Sequence, residues 1–121
     1  MQNPIRPEEP AGVDVSFDPD FEKLEAEIRK MESVSGGAVD WPQVVVWGTS
    51  ILKTKSKDFR AASYLVLGLF QIKGLAGMLE GLELFRSLSE EYWDLGFPAV
   101  KRARARQNAV KFMVDNLTEF L

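Results

Sequence analysis

Neither cysteine nor histidine occurs anywhere in the sequence. Without cysteine there is no disulfide framework, no thiolate nucleophile and no zinc–sulfur site. Without histidine, the usual general base and the commonest metal ligand are both missing. No Gly-Lys-Ser/Thr phosphate loop occurs, and Gly74, Gly77 and Gly81 lack the spacing of a dinucleotide loop and follow no strand. No apolar run approaches the roughly 20 residues that span a bilayer, the longest being Tyr64 to Phe70. The first ten residues hold Pro4, Pro7 and Pro10 and no apolar stretch, unlike a secretory signal. These absences point to a cytosolic chain that is no enzyme, with no catalytic residue, cofactor or metal.

What is present suits one compact helical domain. The 121 residues are 45% hydrophobic and 27% charged, enough for a core of ordinary composition. The net charge of −3 is unevenly placed: residues 1–40 carry −6 and residues 41–121 carry +3. The economical reading is an acidic first helix lying on a basic bundle.

The prolines and Gly12 predict an extended leader over residues 1–17, ahead of a helical domain over 18–121. Asp18-Pro19 is a helix start, and Phe21, Leu24, Ile28 and Met31 follow on one face, until Ser33 to Gly37 ends the helix. Asp40-Trp41-Pro42-Gln43 starts the second, with Asp40 capping and Gln43 placed to complete a capping-box-like arrangement. The run Val44-Val45-Val46 alone suggests a strand, but the start signal before it makes it helix. Ser56 or Asp58 caps the third, whose Phe59, Ala62, Leu65, Val66, Leu69 and Phe70 face inward and which Gly74 stops. The fourth carries Leu75, Met78, Leu79, Leu82, Phe85 and Leu88, then Tyr92-Trp93, and breaks at Gly96 and Pro98. The fifth begins near Lys101. The predicted fold is all-α: an antiparallel bundle of about five helices behind a Pro-rich leader.

Each candidate site has a plainer competing explanation. Asp18, Asp20 and Glu22 alternate like calcium-loop ligands, but Lys23 and Arg29 stand where that loop needs glycine and glutamate. Acids favoured at a helix start account for them. Adjacent Glu90 and Glu91 point about 100° apart on a helix and cannot share a substrate. Gly77 and Gly81, one turn apart, suit close approach of a neighbouring helix. Lys101, Arg102, Arg104, Arg106 and Lys111 form a basic cluster. With a pI near 5.0 and no interleaved aromatics, it is read as a solvated or partner-facing helix that binds no nucleic acid. Arg102 and Arg106, one turn apart, are placed to pair with acids on a facing helix. Trp41 and Trp93, at helix ends beside apolar residues, are expected to be largely buried core anchors.

Three blocks together resemble the ImpA N-terminal domain of TssA-like type VI secretion assembly proteins. The first is Glu9-Pro10-Ala11-Gly12-Val13-Asp14 with Phe17-Asp18-Pro19-Asp20-Phe21. The second is Asp40-Trp41 with Lys57-Asp58-Phe59-Arg60. The third is Gly74-Leu75-Ala76-Gly77, Glu91-Tyr92-Trp93-Asp94, Phe97-Pro98 and Arg106-Gln107-Asn108-Ala109. The match runs in order from about residue 4 to the end, with a shortened stretch between Pro98 and Arg106. The resemblance implies structural roles for Asp14, Asp18, Pro19, Phe21, Trp41, Asp58, Arg60, Tyr92, Trp93, Asp94 and Asn108. It implies a cytoplasmic bacterial protein associated with the secretion apparatus at the inner membrane, helping assemble baseplate, tube and contractile sheath. Its partners would be sheath, baseplate or membrane-complex proteins, and homo-oligomerisation would lie in a C-terminal region beyond this chain. Arg102, Arg104 and Arg106 are the candidate docking residues. A helical adaptor unrelated to secretion is the alternative.

Overall fold

The computed structural model describes residues 2–32 and 37–121. Five α-helices follow one another: α1 Pro19–Arg29, α2 Trp41–Thr54, α3 Phe59–Lys73, α4 Leu75–Tyr92 and α5 Ala103–Phe120. A single 3-10 turn, Lys30–Glu32, extends α1. The expected stop from Ser33 lies outside the described residues as far as residue 36. The fifth helix starts at Ala103, slightly later than its charge pattern suggests.

Three helix starts follow one chemistry. Asp18 accepts from Asp20 N–H at 2.8 Å, Asp40 from Gln43 N–H at 3.2 Å, and Asp58 from Arg60 and Ala61 N–H at 2.8 and 3.1 Å. Each carboxylate satisfies donors that the first helical turn leaves without partners. Pro19 and Pro42 occupy early positions where no N–H is needed. Asp58, rather than Ser56, caps α3. The reciprocal half of the Asp40 cap differs from expectation. Its own N–H donates to Glu27 Oε1 at 2.6 Å, so a residue of α1 does what Gln43 was expected to do.

The helices run up and down in sequence, and α3 is the axis. It packs against α2, α4 and α5, while α1 lies mainly on α2. Nearly every side of α3 is covered: Phe59, Ala61, Ala62, Ser63 and Leu65 through Leu69 are buried. The leader joins the core too, through Ala11 and Val15. The α5 backbone sits close to α3, and Met78, Leu82 and Phe85 of α4 join Met113 and Leu117 of α5 in one apolar cluster.

Glycine sets the α3–α4 contact. A Cβ on Gly81 would lie 3.0 Å from the Val66 Cα, and one on Gly77 would collide with the Leu69 carbonyl. The two backbones therefore touch, and the glycine face of α4 is its buried face. Leu75 and Leu79, two of the apolar residues that mark this helix in the sequence, stand on the far side at 59% and 65% exposure. Position on the helix overrides side-chain apolarity here.

Trp93 also departs from expectation, because the helix ends at Tyr92 and the next residue turns outward, leaving it 52% exposed. Trp41 is half-buried, edge-on to Phe120 with ring centroids 6.0 Å apart.

The Glu27 tie gives a pH signature. Its carboxyl is held below the usual glutamate range by the Asp40 N–H, with Lys30 helping. A depressed folded pKa contributes stability above the ordinary value, and that stability is lost as pH falls through the folded value. Glu27→Gln keeps an acceptor but no charge. It should cost about 1–2 kcal/mol near neutral pH, with the deficit closing on acidification below about pH 4. Urea melts of both proteins across pH will show whether the curves converge.

Candidate functional site

Three connecting segments meet at one end of the bundle and are laced by main chain. Lys57 N–H donates to Ala11 O at 2.7 Å and Val13 N–H to Lys55 O at 3.1 Å. On the other side, Phe97 N–H donates to Lys57 O at 3.0 Å and Phe59 N–H to Phe97 O at 2.7 Å. The α2–α3 link is thus held between the leader and the α4–α5 loop. Most of the sequence-predicted motif residues gather around this end.

Asp58 and Arg60 form its inner knot. The Asp58 carboxylate is fully buried and accepts from Arg60 Nη2 at 2.6 Å and Nε at 3.2 Å. Burial pushes this carboxyl up, against the pull of the guanidinium and two main-chain donors. The Arg60 guanidinium also lies over the Phe21 ring, 4.6 Å from its centroid, and 3.8 Å from Asp14. Asp14 is held low by the hydrogen bond from Ser16, with a smaller pull from Arg60. Asp18 and Asp20, the would-be calcium ligands, instead grip the Lys55 ammonium at 2.9 and 2.8 Å. Among the described residues, no group of three acids is placed to hold a metal ion.

Tyr92 is buried and donates its hydroxyl to Gln2 O at 2.6 Å, tying the leader to the end of α4. Lys57 Nζ lies 5.4 Å from the Tyr92 ring centroid and donates to Leu52 O at 2.7 Å. Burial pushes its ammonium down to about 8.

Arg106 corrects the expected docking set. It lies only 4% exposed, so it offers nothing to a partner. Its Nε donates to Pro98 O at 2.6 Å, Nη1 to Trp93 O at 2.6 Å and Nη2 to Gly96 O at 2.8 Å. The facing acids expected for it are replaced by carbonyls of one loop. Its guanidinium carbon sits 4.6 Å from the Trp93 ring centroid and 4.8 Å from that of Phe59. Burial pushes the guanidinium below its ordinary value, with attraction from Asp94 opposing. The sequence did carry a signal: Arg106, Ala109, Met113 and Leu117 share one helical face, and all four are buried.

Arg102 and Arg104 remain exposed, as do Asp94 and Asn108. No carboxylate lies within ion-pair distance of Lys101, Arg102 or Arg104 among the described residues. The site is therefore a rigid, hydrogen-bonded end with a basic, unpaired rim. Glu90 accepts from Arg86 at 2.6 Å on the helix surface.

Arg106→Gln should cost about 3–5 kcal/mol, because a buried guanidinium shared by three carbonyls has no substitute. Arg104→Gln should stay within about 0.5 kcal/mol of the parent. Chemical denaturation followed by far-ultraviolet circular dichroism will measure both, and equal midpoints would contradict the assignment.

Comparison with known proteins agrees with this geometry. The profile of the family described as "ImpA, N-terminal, type VI secretion system" matches residues 2–115. A curated relative, the type VI secretion system component TssA1 of Pseudomonas aeruginosa, is 33% identical over 101 residues. That alignment covers 78% of this chain and 29% of the relative. A solved structure superposes with a TM-score of 0.87 at 29% identity, covering 99% of this chain and 47% of its own. It is the N-terminal domain, including the conserved ImpA_N region, of the TssA component from Burkholderia cenocepacia. The chain thus spans less than a third of the curated relative and about half of the solved one. The adaptor unrelated to secretion falls away, because the chain belongs to the ImpA N-terminal family of type VI secretion components.

Proposed function

We propose that this domain is a non-catalytic docking module that helps assemble the baseplate, tube and contractile sheath. The observation that carries the reading is the unpaired basic start of α5, presented by the rigid motif end. Lys101, Arg102 and Arg104 are exposed there with no carboxylate within ion-pair distance among the described residues, Arg102 exerting only a minor attraction on Asp14. The acids best placed for chemistry are already engaged: Asp18 and Asp20 by Lys55, Glu27 by Asp40 and Lys30, and Asp58 by Arg60. The partners on this reading are sheath, baseplate or membrane-complex proteins with an acidic face, met in the cytoplasm at the inner membrane. No described helix is long and apolar enough to cross a membrane. On the same reading, homo-oligomerisation is carried by the C-terminal region of TssA-like proteins and not by this docking surface.

Exposed charges act chiefly on encounter rate, and salt screens them over about 8–10 Å. Arg102→Glu with Arg104→Glu should leave the fold intact and slow docking to at least one secretion component by about tenfold at low salt. The difference should shrink as salt rises. Biosensor kinetics against purified sheath, baseplate and membrane-complex proteins provide the check. Unchanged binding of every component would reduce the basic rim to a solvated face.

A further inference from the structure

Beside the motif end, an open groove of about 450 Å³ runs along the outer side of α5. Trp93 forms one wall, and Gln107, Val110 and Val114 form its floor with Lys111 at the edge. The apolar members stand well out of the core: Trp93 is 52% exposed, Val110 40% and Val114 49%. Positions 107, 110 and 114 recur at the spacing of one helix face, so the floor extends roughly 10 Å. It lies on the side of α5 away from the buried stripe of Arg106, Ala109, Met113 and Leu117, where no described element covers it.

The Trp93 wall is fixed before anything binds. Its ring rests on the Arg106 guanidinium at 4.6 Å and tilts against Phe59 with centroids 6.0 Å apart. An aromatic already held in place loses little freedom on burial, which is what an anchor point for a partner requires.

Charge says what fills the groove. Residues 101–111 carry five cations and no acid, and Arg106 alone of these is buried. Lys111 is satisfied by Asp115, a lining residue itself, at 2.7 Å, which leaves the exposed Arg104, one turn before Gln107, as the free cation at the groove's N-terminal end among the described residues, while Arg102 lies towards Asp14. Cations at a helix start oppose the macrodipole, so they do not stabilise α5 itself. No side chain caps that start either. An occupant matching this surface is apolar along one stripe and acidic at the end nearest Arg104.

We infer that the Trp93–Val110–Val114 groove receives an acidic amphipathic helix of a protein partner. The inference rests on the docking reading and names the chemistry of its partner. Two or three apolar side chains one turn apart fill the groove, as in other helix-in-groove recognition. Carboxylates on the same helix meet Arg104 at its rim.

The test uses the ¹⁵N-labelled chain and three synthetic helical peptides of equal length. One carries leucines on a single face flanked by glutamates; the second has serine for leucine; the third has lysine for glutamate. The first should shift the Trp93 indole N–H and the amides of Gln107, Val110 and Val114, with Trp93→Phe assigning the indole. The other two should bind at least about tenfold more weakly, a loss of 1.4 kcal/mol or more. Val110→Asp with Val114→Asp should abolish the response, with Val114→Ser as a milder variant should the pair unfold. No shift at about 1 mM peptide, shifts elsewhere on the chain, or equal binding of the serine peptide would overturn the inference. So would a preference for duplex DNA or phosphatidylserine vesicles, or a self-dimer that Val110→Asp with Val114→Asp dissociates. If secretion components lose binding to the arginine-reversed chain but not to the aspartate pair, the groove fails and docking stands. If the leucine–glutamate peptide binds the groove while every component ignores both sets of changes, docking fails and the groove stands.

Discussion

A single guanidinium determines how the last third of the chain is arranged. Arg106 is buried without a carboxylate in contact, and an ion so placed is costly unless its donors are met. The α4–α5 loop meets them by turning the carbonyls of Trp93, Gly96 and Pro98 inward. That closure decides where α4 stops, how Phe97 reaches the α2–α3 link, and where α5 begins. It also lets α5 sit on α3 with a fixed start. The open groove and the outward Trp93 are consequences of satisfying one cation with main chain.

Helix existence was legible because local chemistry specified it. Aspartate caps at Asp18 and Asp40 stand where the sequence puts them, Asp58 is the one of two candidates that caps α3, and Gly74 ends α3 with φ at +66°. Even the Val44-Val45-Val46 run is helical, since the cap at Asp40 outweighs the strand preference of three valines. The burial of α4 was less legible. Apolar spacing counts leucines, but Gly77 and Gly81 let two backbones meet, and the buried face follows the contact rather than the largest side chains. Leu75 and Leu79 are then left on the opposite side.

The candidate site was legible only as a set of residues. The resemblance named Asp58, Arg60, Tyr92 and Trp93 without saying which would turn inward. Arg106 was read as a surface charge because arginine normally is one, although its register with Ala109, Met113 and Leu117 placed it on the buried stripe. Its partners could not have been read from composition, since every carbonyl looks alike in a sequence. Trp93 shows the converse error: a large aromatic beside a buried tyrosine was assigned to the core, but a helix that ends one residue earlier points it away. Glu27 reaching Asp40 was invisible for a third reason. It joins two helices across a connection, and capping patterns are read within one.

Charge placement connects these local facts to a surface. The acidic first forty residues spend much of their charge internally: Lys55 lies between Asp18 and Asp20, Lys30 on Glu27, and Arg29 on Glu25. Arg60, which also reaches Ser16 of the leader, is taken by Asp58 and approached by Asp14. Little of that negative charge is directed at the start of α5, where Arg102 contributes only a minor attraction to Asp14. A chain with net charge −3 therefore presents a locally positive rim beside an apolar groove. Such a combination attracts acidic partners at range through the rim and discriminates among them at contact through the groove. Because leader, link and loop are already laced together, little backbone has to be ordered when a partner arrives. The binding free energy is then set by the fit of the incoming side chains against Trp93 and the valines, and by how many of its carboxylates reach the unpaired arginines.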